Sequence, residues 1–137
     1  MKRRALLLLA PVLAALAMGG CGTGNDEAAA RDAVESYLAA FARGDGTTAC
    51  DQLTDTARAY VTGMAATVGA SDCEGAFARV RKLGGRDMTT IARDTKIRNI
   101  AVNGKTARVS LRSHGESSVA ELEKVGEAWK IASLPKS

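Results

Sequence analysis

The chain has 137 residues and a formal charge of +4, of which three charges belong to Lys2, Arg3 and Arg4. Without those three the balance is about +1, too small for the cationic stripe of a nucleic-acid-binding domain, so no nucleic-acid partner is expected. Three cysteines, one histidine and five aromatic residues restrict the metal, redox and catalytic chemistry open to it.

The first residues read as an export signal. Lys2-Arg3-Arg4, an apolar run from Ala5 to Ala17 and Met18-Gly19-Gly20-Cys21 follow one another. That is the order of a secretory leader, and the apolar run falls well below the ~20 residues that span a bilayer. Residues 1–20 are therefore expected to be removed. Small residues ahead of Cys21 resemble the lipobox of bacterial lipoproteins, which implies a diacylglyceryl group on the Cys21 sulfur and membrane lipid as a partner. Ala15-Leu16-Ala17 is a rival site for ordinary signal peptidase, and Met18 is a less usual lipobox opener than Leu. Cysteine parity favours lipidation, because an acylated Cys21 leaves Cys50 and Cys73 as an even pair for an oxidising exterior. The expectation is a lipid-anchored protein on the extracytoplasmic face of the cell membrane. Residues 21–26 would be the lipidated cysteine and a flexible tether, and residues 27–134 a single domain.

The first half of that domain reads as helices. With Asn25 or Asp26 as N-cap, Val34, Tyr37, Leu38 and Phe41 fall at helical spacing, and Gly44 and Gly46 stop the run. Thr47 or Thr48 can start a short helix carrying Cys50 and Leu53. Thr54 can cap another bearing Ala57, Tyr60, Val61, Met64, Ala65 and Val68. Ser71-Asp72-Cys73-Glu74 has capping-box spacing, and the helix it opens carries Cys73, Ala76, Phe77 and Val80 on one face until Gly84-Gly85 breaks it. Both cysteines thus lie on apolar helix faces. They are buried thiols if the chain stays in a reducing compartment and a disulfide if it is exported. Neither has a Cys-x-x-Cys partner for redox catalysis.

The second half reads as a four-stranded antiparallel meander with turns at Asn103-Gly104, His114-Gly115 and Gly126-Glu127. Pairing across the second turn sets Val109 opposite Ala120 and Ala107 opposite Leu122 inside, with Arg108 opposite Glu121 outside. Pairing across the third sets Leu122 opposite Ile131 inside and Glu123 opposite Lys130 outside, so two hairpins agree on one register. The first strand does not fit: with Val102 and Ile100 inside, continued alternation sends Arg98 and Lys96 inward and Ile97 outward. Either a β-bulge near Arg98-Asn99 restores Ile97 to the core, or Arg98 faces the interior and calls for an anionic ligand. Charge is also uneven. Acids outnumber bases nine to three from Asp26 to Ala78, and bases outnumber acids ten to two from Arg79 to Arg112. Mutual compensation between the halves and a basic face turned toward an anionic partner both account for this.

Helices followed by a curved sheet resemble the nuclear transport factor 2-like superfamily, in particular small lipoproteins of high-GC Gram-positive bacteria. The residues that carry the resemblance are Ala33-Val34-Glu35-Ser36-Tyr37-Leu38-Ala39-Ala40-Phe41, Ala49-Cys50-Asp51-Gln52-Leu53-Thr54 with a second cysteine downstream, and Gly126-Glu127-Ala128-Trp129-Lys130-Ile131. It implies an α+β cone, with N-terminal helices packed on a curved four-stranded antiparallel meander and a pocket at the open end. Some members of the superfamily are isomerases or cyclases, and many are pockets or interaction modules without chemistry. Tyr37 and Tyr60 read as core aromatics on helix stripes. Asp45, Asp51 and the two tyrosines supply the residue types of a ketosteroid isomerase but not its spacing, and the lone His114 sits in a turn. The expectation is therefore a protein without catalytic residues, metal or cofactor: a non-catalytic interaction module of the cell envelope that meets an envelope protein. The alternative is a pocket for a small apolar or anionic ligand among Tyr37, Phe41, Tyr60, Phe77 and Trp129, with Arg98 for an anionic end. An isomerase or cyclase comes third.

Overall fold

A computed structural model describes residues 23–136. The leader, its cleavage site and Cys21 lie outside the described residues. Four helices, α1 (Thr23–Arg43), α2 (Gly46–Asp51), α3 (Asp55–Ala65) and α4 (Cys73–Asp94), with a 3₁₀ turn (Ala66–Val68) after α3, precede four strands. These are β1 (Lys96–Asn103), β2 (Thr106–Ser113), β3 (Glu116–Val125) and β4 (Ala128–Lys136), paired antiparallel in sequential order. The expected α+β architecture is thus the observed one.

Helix starts follow capping chemistry, with two changes from the sequence reading. Thr54 caps α3, its hydroxyl accepting from the Ala57 N–H at 3.2 Å. Asp45, rather than Thr47 or Thr48, caps α2 by accepting from the Thr48 N–H at 3.1 Å. Asp72, rather than Ser71, caps α4 by accepting from the Gly75 N–H at 2.7 Å. A carboxylate makes the stronger, charge-assisted cap, and Glu74, freed from a capping box, pairs with Arg58 of α3. The first helix also begins earlier than Asn25 or Asp26, at Thr23, so that residues 23–26 continue it. The cause is tertiary: Asp26 accepts from Lys124 Nζ at 2.7 Å and Trp129 Nε1 at 3.1 Å on the sheet. Past Gly84 the chain kinks and then resumes as a helix to Asp94, an extension the sequence reading did not include. Gly85 makes the kink at φ 52°, ψ −128°, a conformation that a side chain would strain.

The register agrees with expectation across β2, β3 and β4: Arg108 faces Glu121, Ala107 faces Leu122, Leu122 faces Ile131 and Glu123 faces Lys130. Of the two outcomes that the parity of β1 left open, the bulge is the one observed. Ile97 pairs with Leu111 and Asn99 with Ser110, so Arg98 is the extra residue, exposed, while Ile97 packs against the core. The first hairpin turns at Gly104-Lys105, with Asn103 opposite Thr106, a two-residue slide from Asn103-Gly104 that preserves which face each residue occupies. Further irregularities between β3 and β4, beside Glu121, bend the sheet over the helices. Val34, Tyr37, Leu53, Phe77, Val109, Leu122, Trp129 and Ile131 fill the core beneath. The buried Cys50 and Cys73 form a disulfide, Cα atoms 6.2 Å apart, that ties α2 to α4. The segment between α2 and α3 hooks onto β4: the Thr54 N–H donates to the Ile131 carbonyl and the Ile131 N–H to the Gln52 carbonyl.

Candidate functional site

Four of the six candidate pocket residues converge. Tyr37 and Phe41 from α1, Tyr60 from α3 and Phe77 from α4 line one cavity of about 180 Å³ together with Val61, Met64, Val68, Val80 and Leu134. Its inner wall is an aromatic trio. The Tyr37 and Phe41 rings stack at 6.2 Å, and each meets Phe77 edge-on at 5.9 Å. Such offset and T-shaped contacts hold ring positions more firmly than aliphatic packing alone.

Tyr60 does not belong to the core. It is 63 % exposed and Met64 49 %, because α3 buries its alanines instead, Ala57 and Ala65, and so lies close to its neighbours. The two long side chains thereby stand at the cavity's outer wall. Exposed apolar side chains beside an apolar hollow are what a ligand entrance looks like. Tyr37 lines the same cavity from below. Burial pushes its phenol pKa well above the ordinary tyrosine value, and no hydrogen bond engages its hydroxyl among the described residues.

The other two candidates lie elsewhere. Trp129 is buried at a different part of the core, donating to Asp26 and lying 6.0 Å beneath the Lys124 ammonium, so it serves the anchoring of α1. Lys124 is thus an inward lysine with an acidic partner. Arg98, turned out by the bulge, lines a groove of about 620 Å³ on the outer sheet face with Ser110, Arg112, Ser117, Glu121 and Ser133. Sequence periodicity could mark Val61, Met64 and Val68 as one stripe, but the cavity contribution of Leu134 depends on the bent end of β4.

The titratable residues among those lining the cavity are Tyr37 and Tyr60; carboxylates, cysteines and histidine are not among them. Among the described residues no group of three His, Cys, Asp or Glu side chains could hold a metal ion. His114 stands in its turn with Nε2 3.8 Å from Asp94, both side chains about half exposed. The cavity can therefore bind by shape, apolar contact and one or two phenolic hydrogen bonds.

Comparison with known proteins identifies the lineage. No curated protein and no solved structure matches the chain. A protein-family model described as "Putative lumazine-binding" matches residues 25–134, from the third residue of α1 to Leu134 in β4. The chain therefore belongs to that family, a domain of the nuclear transport factor 2-like fold.

Proposed function

We propose that this domain is a non-catalytic carrier that captures a small, apolar, ring-sized ligand in the cavity between α1, α3 and α4. The observation that carries this reading is the aromatic-walled hollow bordered by the exposed Tyr60 and Met64. An apolar cavity of ~150 Å³ suffices for benzene, so about 180 Å³ suits one aromatic ring or a short branched chain and is too small for a drug-sized body. The family description supports ligand capture over a pure interaction module, but the lining does not suit lumazine itself. A pteridinedione presents several ring carbonyls and N–H groups, whereas this wall offers only the Tyr37, Tyr60 and Thr67 hydroxyls, and Thr67 already donates to the Met64 carbonyl.

The test is a titration with toluene and with lumazine, followed by ligand-induced NMR shifts, on the natural chain and on Val80→Phe, which fills the hollow. Toluene should bind the natural chain and lose at least tenfold in affinity to Val80→Phe. Preference for lumazine, or toluene binding unaffected by the substitution, would overturn the apolar reading.

The same proposal places the domain outside the cytoplasmic membrane as a small lipoprotein of the actinobacterial type, tethered through an acylated Cys21. The ordering of charge, apolar run, small residues and Cys21 supports it. Intact mass of the mature protein should show an N-terminal Cys21 carrying acyl chains, and Cys21→Ser should abolish the added mass and release the protein. An unacylated mature N-terminus at Met18 would sink the anchor.

A further inference from the structure

The excess of basic residues between Arg79 and Arg112 has a structural focus. Between the C-terminal half of α1 and the second half of α4 lies a cleft of about 650 Å³, lined by Arg43, Arg81 and Arg93 and floored by apolar side chains. An adjoining cleft of about 470 Å³ shares Arg81, Thr89 and Arg93 with it and adds Arg86, so the two are continuous. Four guanidinium groups therefore surround one depression.

The kink at Gly85 is what assembles them. On a straight helix, at 3.6 residues per turn, Arg86 and Arg93 share a face but Arg81 points about 140° away from Arg86. The break at Gly85 changes that relation and brings Arg81 to the same cleft. Both limbs of α4 are pinned to the end of α1: the Arg81 guanidinium and the Thr89 hydroxyl donate to the same Ala42 carbonyl, the latter at 3.3 Å. Acidic compensation is slight. Arg43 lies 3.6 Å from Asp45 in an exposed pair, and Glu35, the cleft's acid, is engaged by Arg31 at 3.9 Å. Arg81, Arg86 and Arg93 form no ion pair among the described residues. Like charges held together by the backbone, with so little counter-charge beside them, favour an anion.

We propose that this cleft binds the phosphate head of an amphiphile, whose apolar part lies on the floor of Leu38, Ala39, Ala42 and Ala92. Phosphate fits better than carboxylate because the planar forks of Arg86 and Arg93, together with the Arg81 N–H groups that the Ala42 carbonyl does not take, need more than two acceptor oxygens to be used at once. The apolar floor is what distinguishes an amphiphile from a free phosphate. This site is separate from the aromatic cavity and does not rest on the reading given for it.

The test uses the described domain's full mature chain and three probes: monomeric dihexanoyl phosphatidic acid, inorganic phosphate and dihexanoylglycerol. The first should bind at least tenfold more tightly than either of the others. Arg86→Gln/Arg93→Gln removes two charges that hold no ion pair, and melts should show the fold retained. It should weaken the phosphatidic acid by roughly tenfold or more, the loss expected from a charge-assisted contact. Arg98→Gln, on the outer sheet face, and Val80→Phe, in the aromatic cavity, should leave that affinity unchanged. Equal affinity for inorganic phosphate, equal affinity for the uncharged glyceride, or an unaltered affinity in the double variant each overturns the proposal. So does binding confined to phosphatidylglycerol vesicles with none to the monomer, which would mean a membrane-facing charge patch in place of a cleft for one molecule.

Discussion

Asp26 and Tyr37 show how single side chains couple this fold to pH. Hydrogen bonds from Lys124, first, and Trp129 hold the Asp26 carboxyl below the usual carboxylate range. A lowered folded-state value means that the unfolded chain takes up a proton first as the pH falls. The contribution is therefore complete above about pH 4 and is lost as the pH drops through the folded-state value. Asp26→Asn should destabilise the protein at pH 7 in urea titrations, and the difference from the natural chain should narrow steadily below pH 4. Tyr37 works in the opposite sense. Its phenol is raised by burial, so the unfolded chain loses its proton first, near pH 10, and stability should decline above that pH by up to about 1.4 kcal/mol per unit. Tyr37→Phe should abolish that slope in alkaline denaturation. At pH 7 it should change stability by less than about 1 kcal/mol, because the hydroxyl has no hydrogen-bond partner to lose among the described residues.

At the scale of elements, α2 meets α4 backbone to backbone at Gly46. A Cβ built on Gly46 would sit 2.7 Å from Glu74 Cα and 2.8 Å from its carbonyl carbon, and closer still to the carbonyl oxygen. These are backbone atoms of a helix that the disulfide holds in place, so they cannot turn aside. Gly46→Ala should cost about 2 kcal/mol or more in equilibrium unfolding, within the range of overpacked core substitutions. Gly63 in α3, where an added Cβ meets nothing within 4 Å, supplies the control, with Gly63→Ala neutral or stabilising by up to about 1 kcal/mol. The strands illustrate how far local pattern reaches. Arg108 with Glu121 and Glu123 with Lys130 were readable because a hairpin's register follows from its turn and its alternation. The slide of the first turn to Gly104-Lys105 was not, since a two-residue slide leaves every side chain on the same face and so leaves the pattern unchanged.

For the molecule as a whole, the Cys50–Cys73 bond joins α2 to α4 through cysteines with a sequence separation of 23. Closing a loop of that length contributes about 3 kcal/mol through the unfolded state, a large share of the stability of a domain this small. Cys50→Ala/Cys73→Ala should lose about that much in denaturant titrations under oxidising conditions, and dithiothreitol should destabilise the natural chain while leaving the double variant unmoved. The cavity and the arginine cleft lie on different sides of α1's C-terminal half, one using Tyr37 and Phe41, the other Leu38 and Ala42. One helix thus presents an aromatic face to the first site and an aliphatic face, Leu38, Ala39 and Ala42, to the second.

The sequence by itself determined what depends on short-range pattern: helix stripes, strand alternation, the conflict of parity at Arg98 and the placing of Cys50 and Cys73 on apolar helix faces. Each follows from periodicity that a stretch of ten or twenty residues already contains. The tertiary structure decided the rest. That Tyr60 stands outside the core, that Trp129 serves Asp26 and not the cavity, and that Arg81 joins Arg86 and Arg93 across the Gly85 kink all depend on which neighbours arrive from distant segments. Helical periodicity assigns a residue to a face. Whether that face is filled, left hollow or left to solvent depends on the size of what packs opposite it, and for α3 that was set by two alanines.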